Sequence, residues 1–151
     1  MSLKDKLVDD MKAAMKDREA GKLRLSVIRM ARAAIKNLEI DRKHDLNEEE
    51  VLDVISREVK QRRDAIEEYA KAGRDDIVEK QKAEIDILME YLPEQLTADE
   101  IRVIVKDVVA NVGASGPKEM GKVMGALMPK VKGKADGKLV NQIVKEVLES
   151  L

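Results

Sequence analysis

The spacing of apolar residues along the chain predicts helices throughout. In the first segment, Leu3, Leu7, Met11 and Met15 recur every four residues, which places their side chains on one helix face. Similar apolar stripes return along the rest of the chain. No segment alternates apolar and polar residues between turn residues, as a half-buried strand would. The sequence therefore predicts an all-α protein with seven helices.

Residues that begin or end helices mark the predicted boundaries. Side chains that cap a helix amino terminus precede four of the helices, at Ser2, Asn47, Thr97 and Asp136. The second helix is predicted to run from Lys22 to the region of Leu38. The residues expected to close other helices are Gly21, Gly73, Leu92 before Pro93, Gly113 and Pro129.

The length of the predicted helices changes at Pro93. Four longer helices precede it and three shorter ones follow, within a length of 151 residues that suits one domain or two small ones. We expect an N-terminal helical domain of residues 1–93 and a C-terminal three-helix domain of residues 94–151.

Composition removes several classes of function. The chain has no cysteine, which excludes a disulfide framework, a cysteine zinc site and a thiol nucleophile. Its one histidine excludes a multi-histidine metal site. That residue, His44, lies in a charged connector and is expected to be an ordinary surface side chain. We expect no metal, no cofactor and no catalytic residue.

The charges nearly cancel over the whole chain but not along it. The sequence has 29 Lys and Arg against 30 Asp and Glu, a net charge of −1. Residues 116–138, which we call the basic strip, have six lysines against Glu119 and Asp136, a local charge of +4. The six are Lys118, Lys122, Lys130, Lys132, Lys134 and Lys138. Such a strip indicates either contact with a polyanion or a solubility surface.

Within the basic strip, Gly121 and Gly125 lie on one face of the predicted sixth helix. Glycine costs about 1 kcal/mol inside a helix, so this spacing indicates close approach by a neighbouring helix or an RNA backbone. Residues 130–134, with Gly133, are predicted to form a flexible loop. The loop leads to the amino end of the last helix, where lysines and N–H groups favour phosphate. Aromatic residues are only 1% of the chain, which argues against base stacking and favours recognition of RNA by phosphate and shape.

Three charged residues fall on apolar helix faces. Glu58 and Arg62 do so on the third helix, and Glu84 on the fourth. A buried charge without a partner is costly, so we expect the three to meet as an ion cluster between these helices. A carboxylate pair for acid–base chemistry is the alternative interpretation, and the arginine among the acids favours the structural one.

A membrane role is not expected. The longest stretch without a charge is the 10 residues Val108–Pro117, about half of a membrane-spanning helix. The first residues carry acids and lack the apolar core of a signal peptide. The expectation is a soluble cytoplasmic protein.

Several motifs together resemble the YqeY family over essentially the whole chain. They are Arg62-Arg-Asp-Ala-Ile, Ala72-Gly-Arg74-Asp-Asp, Tyr91-Leu-Pro-Glu-Gln-Leu96, Met120-Gly-Lys-Val-Met-Gly and Lys132-Gly-Lys-Ala-Asp-Gly-Lys-Leu-Val140. The C-terminal block also resembles the tail of the GatB subunit of glutamine-dependent aspartyl/glutamyl-tRNA amidotransferase. In that subunit, the three-helix tail domain engages tRNA.

The resemblance implies a two-lobed helical protein whose second lobe resembles a tRNA-binding domain. It also implies an association with carbon–nitrogen ligase activity that uses glutamine as amide donor. The positions that it makes candidates for RNA contact are Lys122, Lys132, Lys134, Gly121, Gly125 and Gly133. The large catalytic portion of that subunit has no counterpart in 151 residues. The resemblance therefore transfers binding and not catalysis.

These observations predict a tRNA-binding accessory protein that is not catalytic by itself, with tRNA as its partner and no DNA. Two alternatives stay open. One is a component of the amidotransferase that acts with partner subunits. The other is a helical adaptor whose glycine-containing helix packs against a partner protein.

Overall fold

Helices make up all of the regular secondary structure. The computed structural model describes all 151 residues, which form two compact units, Met1–Leu92 and Pro93–Leu151. The helices of the first unit are α1 (Leu3–Lys16), α2 (Lys22–Arg42), α3 (Glu48–Lys71) and α4 (Asp75–Met89). Those of the second unit are α5 (Ala98–Val112), α6 (Met120–Val131) and α7 (Gly137–Glu149). Short 3₁₀ segments lie at Arg18–Gly21 and Pro117–Glu119. The all-α prediction is confirmed, although α5, at 15 residues, is as long as α4.

The predicted capping residues begin four helices. Ser2 and Asp136 accept backbone N–H bonds from the first turns of α1 and α7, at 3.1 and 3.3 Å. Asn47 and Thr97 each form a capping box with the glutamate three residues later. These bonds satisfy backbone donors that have no partner within the first helical turn. The four helix starts predicted from capping residues are confirmed.

Gly21 has a different role from the predicted helix end. Helix α1 already ends at Lys16, and Gly21 is buried at the point where the chain enters α2. A Cβ at this position would lie 2.2 Å from the backbone oxygen of Ala14. The glycine therefore allows the turn to pack directly on the backbone of α1.

Three other helix ends differ from the sequence predictions. Helix α2 continues past Leu38 to Arg42, and α4 ends at Met89 rather than at Leu92. Pro129 lies inside the last turn of α6 instead of ending it. Proline cannot donate a hydrogen bond to the carbonyl four residues earlier, and its ring crowds that carbonyl, yet the helix continues for two more residues to Val131.

The core of the first unit contains apolar side chains from all four of its helices. Leu7, Ile28, Ile55 and Leu88 are each 1% exposed or less. Tyr91, just after α4, is 4% exposed and donates its hydroxyl hydrogen to Asp10 Oδ2 at 2.5 Å. This bond attaches the chain after α4 to α1.

The second unit has a wholly aliphatic core. Ile101 of α5, Val123 and Leu127 of α6, and Val144 of α7 have no exposed surface. No charged residue is buried in this unit.

In neither unit does any helix combine the length and apolar character needed to cross a membrane.

Candidate nucleic-acid interface

The six lysines of the basic strip are all exposed. They are distributed over successive elements of the second unit: Lys118 in the 3₁₀ turn, Lys122 and Lys130 in α6, Lys132 and Lys134 in the loop, and Lys138 in the first turn of α7. Long exposed lysine side chains can extend to meet a polyanion without desolvating the protein core. The fold therefore presents the whole strip to solvent.

Both acids within the basic strip hold backbone groups in place. Glu119 Oε1 accepts the backbone N–H of Ser115 at 3.0 Å and the hydroxyl of the same residue at 2.9 Å. These two bonds hold the pKa of Glu119 below its ordinary value. Asp136 Oδ1 accepts the backbone N–H of Lys138 at 3.3 Å. The acids are thus engaged in fixing the two turns that flank α6 and α7.

The loop that carries Lys132 and Lys134 is held by hydrogen bonds from the segment before α5. Gln95 Nε2 donates to the carbonyl of Gly133 at 2.9 Å, and the backbone N–H of Leu96 donates to the carbonyl of Lys134 at 2.8 Å. Gly133 has a φ of 74°, which suits glycine at this turn. Two carbonyls of the predicted loop thus accept hydrogen bonds from residues that precede α5.

Gly121 and Gly125 lie on the solvent side of α6. Both are exposed, whereas Val123 and Leu127, on the other side of the helix, are fully buried. A Cβ built on either glycine would meet no atom within 4 Å. Close approach by another helix of this chain is therefore excluded as the reason for these glycines. They leave helix backbone uncovered toward solvent.

The amino end of α7 already has an anion. The Asp136 carboxylate caps it, so a phosphate at the same place would compete with an internal hydrogen bond. The amino end of α7 is thus satisfied within the protein itself.

Glu58, Arg62 and Glu84 come together in the first unit. Arg62 Nη1 donates to Glu58 Oε2 at 2.8 Å, and its Nε donates to Glu84 Oε1 at 3.2 Å. Arg62 is 5% exposed and Glu84 is 6% exposed. A guanidinium that binds both carboxylates in a buried position suits structural pairing of α3 and α4 rather than proton transfer to a ligand.

His44 lies at the surface, in the segment between α2 and α3. It is exposed, and its Nε2 lies 3.9 Å from Glu50 Oε2, which also accepts from Arg42 Nη1 at 2.6 Å. The backbone N–H of Asn47 and the Arg42 guanidinium hold the pKa of Glu50 below its ordinary value. No group of three His, Cys, Asp or Glu side chains is arranged to hold a metal ion.

The chain is similar in sequence to one known protein family and to several yeast proteins. The family model described as "Yqey-like protein" matches residues 4–148. The chain belongs to the YqeY family. Relatives in yeasts have the name "Altered inheritance of mitochondria protein 41, mitochondrial". The one from Lachancea thermotolerans is 39% identical over 101 residues, which are 66% of this chain and 53% of that protein. The one from Kluyveromyces lactis is 37% identical over 115 residues, 74% of this chain and 60% of that protein.

The chain spans about half to three fifths of the length of these curated relatives. The YqeY match includes every residue of the basic strip and of the ion cluster. Sequence reasoning missed the role of Gln95, although the motif that contains it helped to carry the family resemblance. The motif marks the segment as important, but it does not show that Gln95 bonds to Gly133, because a contact between residues 38 positions apart depends on the fold.

Proposed function

We propose that this YqeY-family chain is a tRNA-binding accessory protein, not catalytic by itself, which contacts tRNA phosphates through the basic strip. The observation that carries the proposal is the exposed backbone at Gly121 and Gly125, in a helix whose surroundings contain six exposed lysines. A helix face without side chains lets a bulky, rigid partner come close to the backbone. The lysines supply the charge that a phosphate backbone requires.

The absence of aromatic side chains from the second unit bears on how this surface could bind RNA. The second unit has no aromatic side chain on which to stack a base. Folded RNA offers phosphates and 2′-hydroxyl groups in a fixed shape, so it can be bound without stacking. The second unit thus suits a folded RNA such as tRNA.

The hydrogen-bonded loop supports the proposal in a second way. Gln95 and Leu96 fix the backbone from which Lys132 and Lys134 project. A loop that is ordered before binding loses less conformational entropy when the RNA binds.

Two alternative functions are supported by fewer observations. The resemblance of the second unit to the tail of a tRNA-dependent amidotransferase supports a role in glutamine-dependent transamidation, as a component that acts with partner subunits. The uncovered glycines and the neighbouring Met128, which is 39% exposed, support an adaptor that receives a partner helix.

The cellular location belongs to the proposal as well. The sequence favours a cytoplasmic protein, while the names of the yeast relatives assign those proteins to mitochondria. Fractionation of cells that express a tagged full-length protein decides between the two compartments.

Binding of bulk tRNA to the full chain at low salt, measured by fluorescence anisotropy, tests the leading proposal. Gly125→Leu should weaken binding at least about five-fold, because a leucine there covers the backbone without a clash inside the protein. Ala110→Leu, on the exposed side of α5, is the matched control and should leave the affinity unchanged. Helix content by circular dichroism checks that both variants fold.

Each of the three proposed functions predicts a different experimental result. Absence of tRNA binding at low salt removes the leading proposal. Formation of an amide on Glu-tRNA or Asp-tRNA by the purified chain alone contradicts the claim that it is not catalytic. A protein partner that stays bound after nuclease treatment and is lost in Gly125→Leu favours the adaptor.

A further inference from the structure

A second basic surface lies in the first unit, in a cleft between α1 and α2. Its volume is about 500 Å³, within the usual range of sites for small ligands. Leu7, Val8 and Ile35 contribute its apolar floor. The small side chain of Ala33 lies at its edge and is exposed.

Three cations of α2 line this cleft. Arg29, Arg32 and Lys36 follow one another at spacings of three and four residues, which places them on one side of the helix. None of the three forms an ion pair with a carboxylate. Arg32 Nη1 instead points to the Sδ of Met11 at 3.1 Å, and a thioether is a weak acceptor. Arg29 and Arg32 thus have no carboxylate at ion-pair distance, while Lys36 helps from a longer distance to lower the pKa of Glu39.

The acids of the cleft compensate only part of this charge. Glu39 is ion-paired with Lys4 and also accepts the backbone N–H of Leu46 at 2.9 Å. The bond from Lys4, followed by the bond from Leu46, holds the pKa of Glu39 below its ordinary value. With Lys4 and Glu39 neutralising each other, Asp5 is the one acid left against three cations. The cleft has a net charge of +2 from the side chains that line it.

We propose that this cleft binds a small anionic ligand with an apolar part. The acid group, a carboxylate or a phosphate, is held by Arg29, Arg32 and Lys36, since a guanidinium can donate paired hydrogen bonds to two oxygens of a planar carboxylate or of a tetrahedral phosphate. The apolar part covers the aliphatic floor. A nucleic acid strand would contact the cations at the rim without entering the cleft, so a small amphiphile that enters it fits the whole cleft better. This site is separate from the basic strip and does not depend on the proposed tRNA binding.

Calorimetric titration of the full chain with four small compounds tests the chemistry. Hexyl phosphate and hexanoate carry both parts of the expected ligand, inorganic phosphate lacks the apolar part, and hexanol lacks the charge. At least one of the two amphiphiles should bind, and the tighter of them identifies the acid group. Inorganic phosphate and hexanol should bind at least about ten-fold more weakly. Equal binding of hexanol or of inorganic phosphate, or no binding of either amphiphile at millimolar concentration, overturns the proposal.

Variants of exposed residues locate the binding. Arg32→Gln should weaken binding about ten-fold or more, because it removes charge-assisted hydrogen bonds to the acid group. Ala33→Trp should abolish binding by filling the cleft. Arg57→Gln removes an exposed arginine of α3 that does not line the cleft, and it should leave binding unchanged. If Arg32→Gln and Ala33→Trp both fold, by circular dichroism, and both bind as the wild type does, the cleft is not the site.

Discussion

The two units of this YqeY-family protein place their charged residues differently. Met1–Leu92 buries Arg62 and Glu84 between its helices, whereas Pro93–Leu151 buries only aliphatic side chains. In the first unit, a charge inside the core is matched by carboxylates at 2.8 and 3.2 Å. In the second unit, all six lysines of the basic strip are exposed.

The difference separates charges that are buried within the fold from charges that face solvent. A buried ion pair is held by its own partners, and removal of one partner leaves a buried charge without compensation. Exposed lysines contribute little to stability, so their concentration at residues 116–138 calls for another explanation. The following predictions separate the two kinds of charge, from the largest expected effect to the smallest.

Removal of the buried arginine should destabilise the first unit most. Arg62→Ala leaves the Glu84 carboxylate buried without its partner, and we expect a loss of about 3–5 kcal/mol in the free energy of unfolding. Hydrogen exchange of amides in α3 and α4 should accelerate accordingly. Arg57→Ala, at an exposed position of the same helix, should change stability by less than about 0.5 kcal/mol. Similar unfolding curves for Arg62→Ala and the wild type would show that the ion cluster does not hold these helices together.

In the second unit, the largest effect should come from an apolar residue. Leu127 is fully buried, so Leu127→Ala should cost about 2–5 kcal/mol through lost burial and the cavity that remains. Its neighbour Met128 is 39% exposed, and Met128→Ala should cost less than about 1 kcal/mol. Urea unfolding monitored by circular dichroism measures both. A larger loss for Met128→Ala than for Leu127→Ala would contradict the assignment of the α6 core face.

Tyr91 should make a smaller and pH-dependent contribution. Burial, together with the hydrogen bond to Asp10, raises the pKa of Tyr91 above its ordinary value of 10.0. The protonated hydroxyl is thus favoured in the folded state, so its contribution is complete below pH 10 and is lost as pH rises toward the folded-state pKa. At pH 7, Tyr91→Phe should cost about 1 kcal/mol. Above pH 10, the difference between wild type and variant should shrink; a difference that grows with pH would reverse the sign and contradict this account.

Much of the fold could be predicted from local sequence signals. Ser2, Asn47, Thr97 and Asp136 cap helices because a side-chain oxygen within three residues can reach a free backbone N–H, which is a local property. The helical period also placed charged residues on the apolar faces of α3 and α4, where Arg62 contacts both carboxylates.

Long-range packing accounts for what the sequence could not reveal. The sequence around Gly21 predicts a helix end, but the small size of this residue instead allows close contact with the backbone of Ala14. That contact forms only when the turn between α1 and α2 packs on α1. The glycine and lysine content of the loop after α6 does not show its hydrogen bonds from Gln95 and Leu96, because these donors belong to another segment of the chain. The cleft between α1 and α2 exists only once these helices pack, so no single segment predicts it.

The salt dependence of tRNA binding tests the central claim most directly, because it counts the phosphates that the protein contacts. For the full chain, log Kd should rise linearly with the logarithm of salt concentration, with a slope of roughly 0.7–0.9 for each phosphate contact. Replacing Lys132 and Lys134 with alanine should lower that slope by about 1.5, since two contacts are lost. Replacing Lys106 and Lys145, exposed lysines of the same unit outside the basic strip, should leave it unchanged. A slope near zero, or one that only the control pair lowers, would contradict RNA binding by the basic strip.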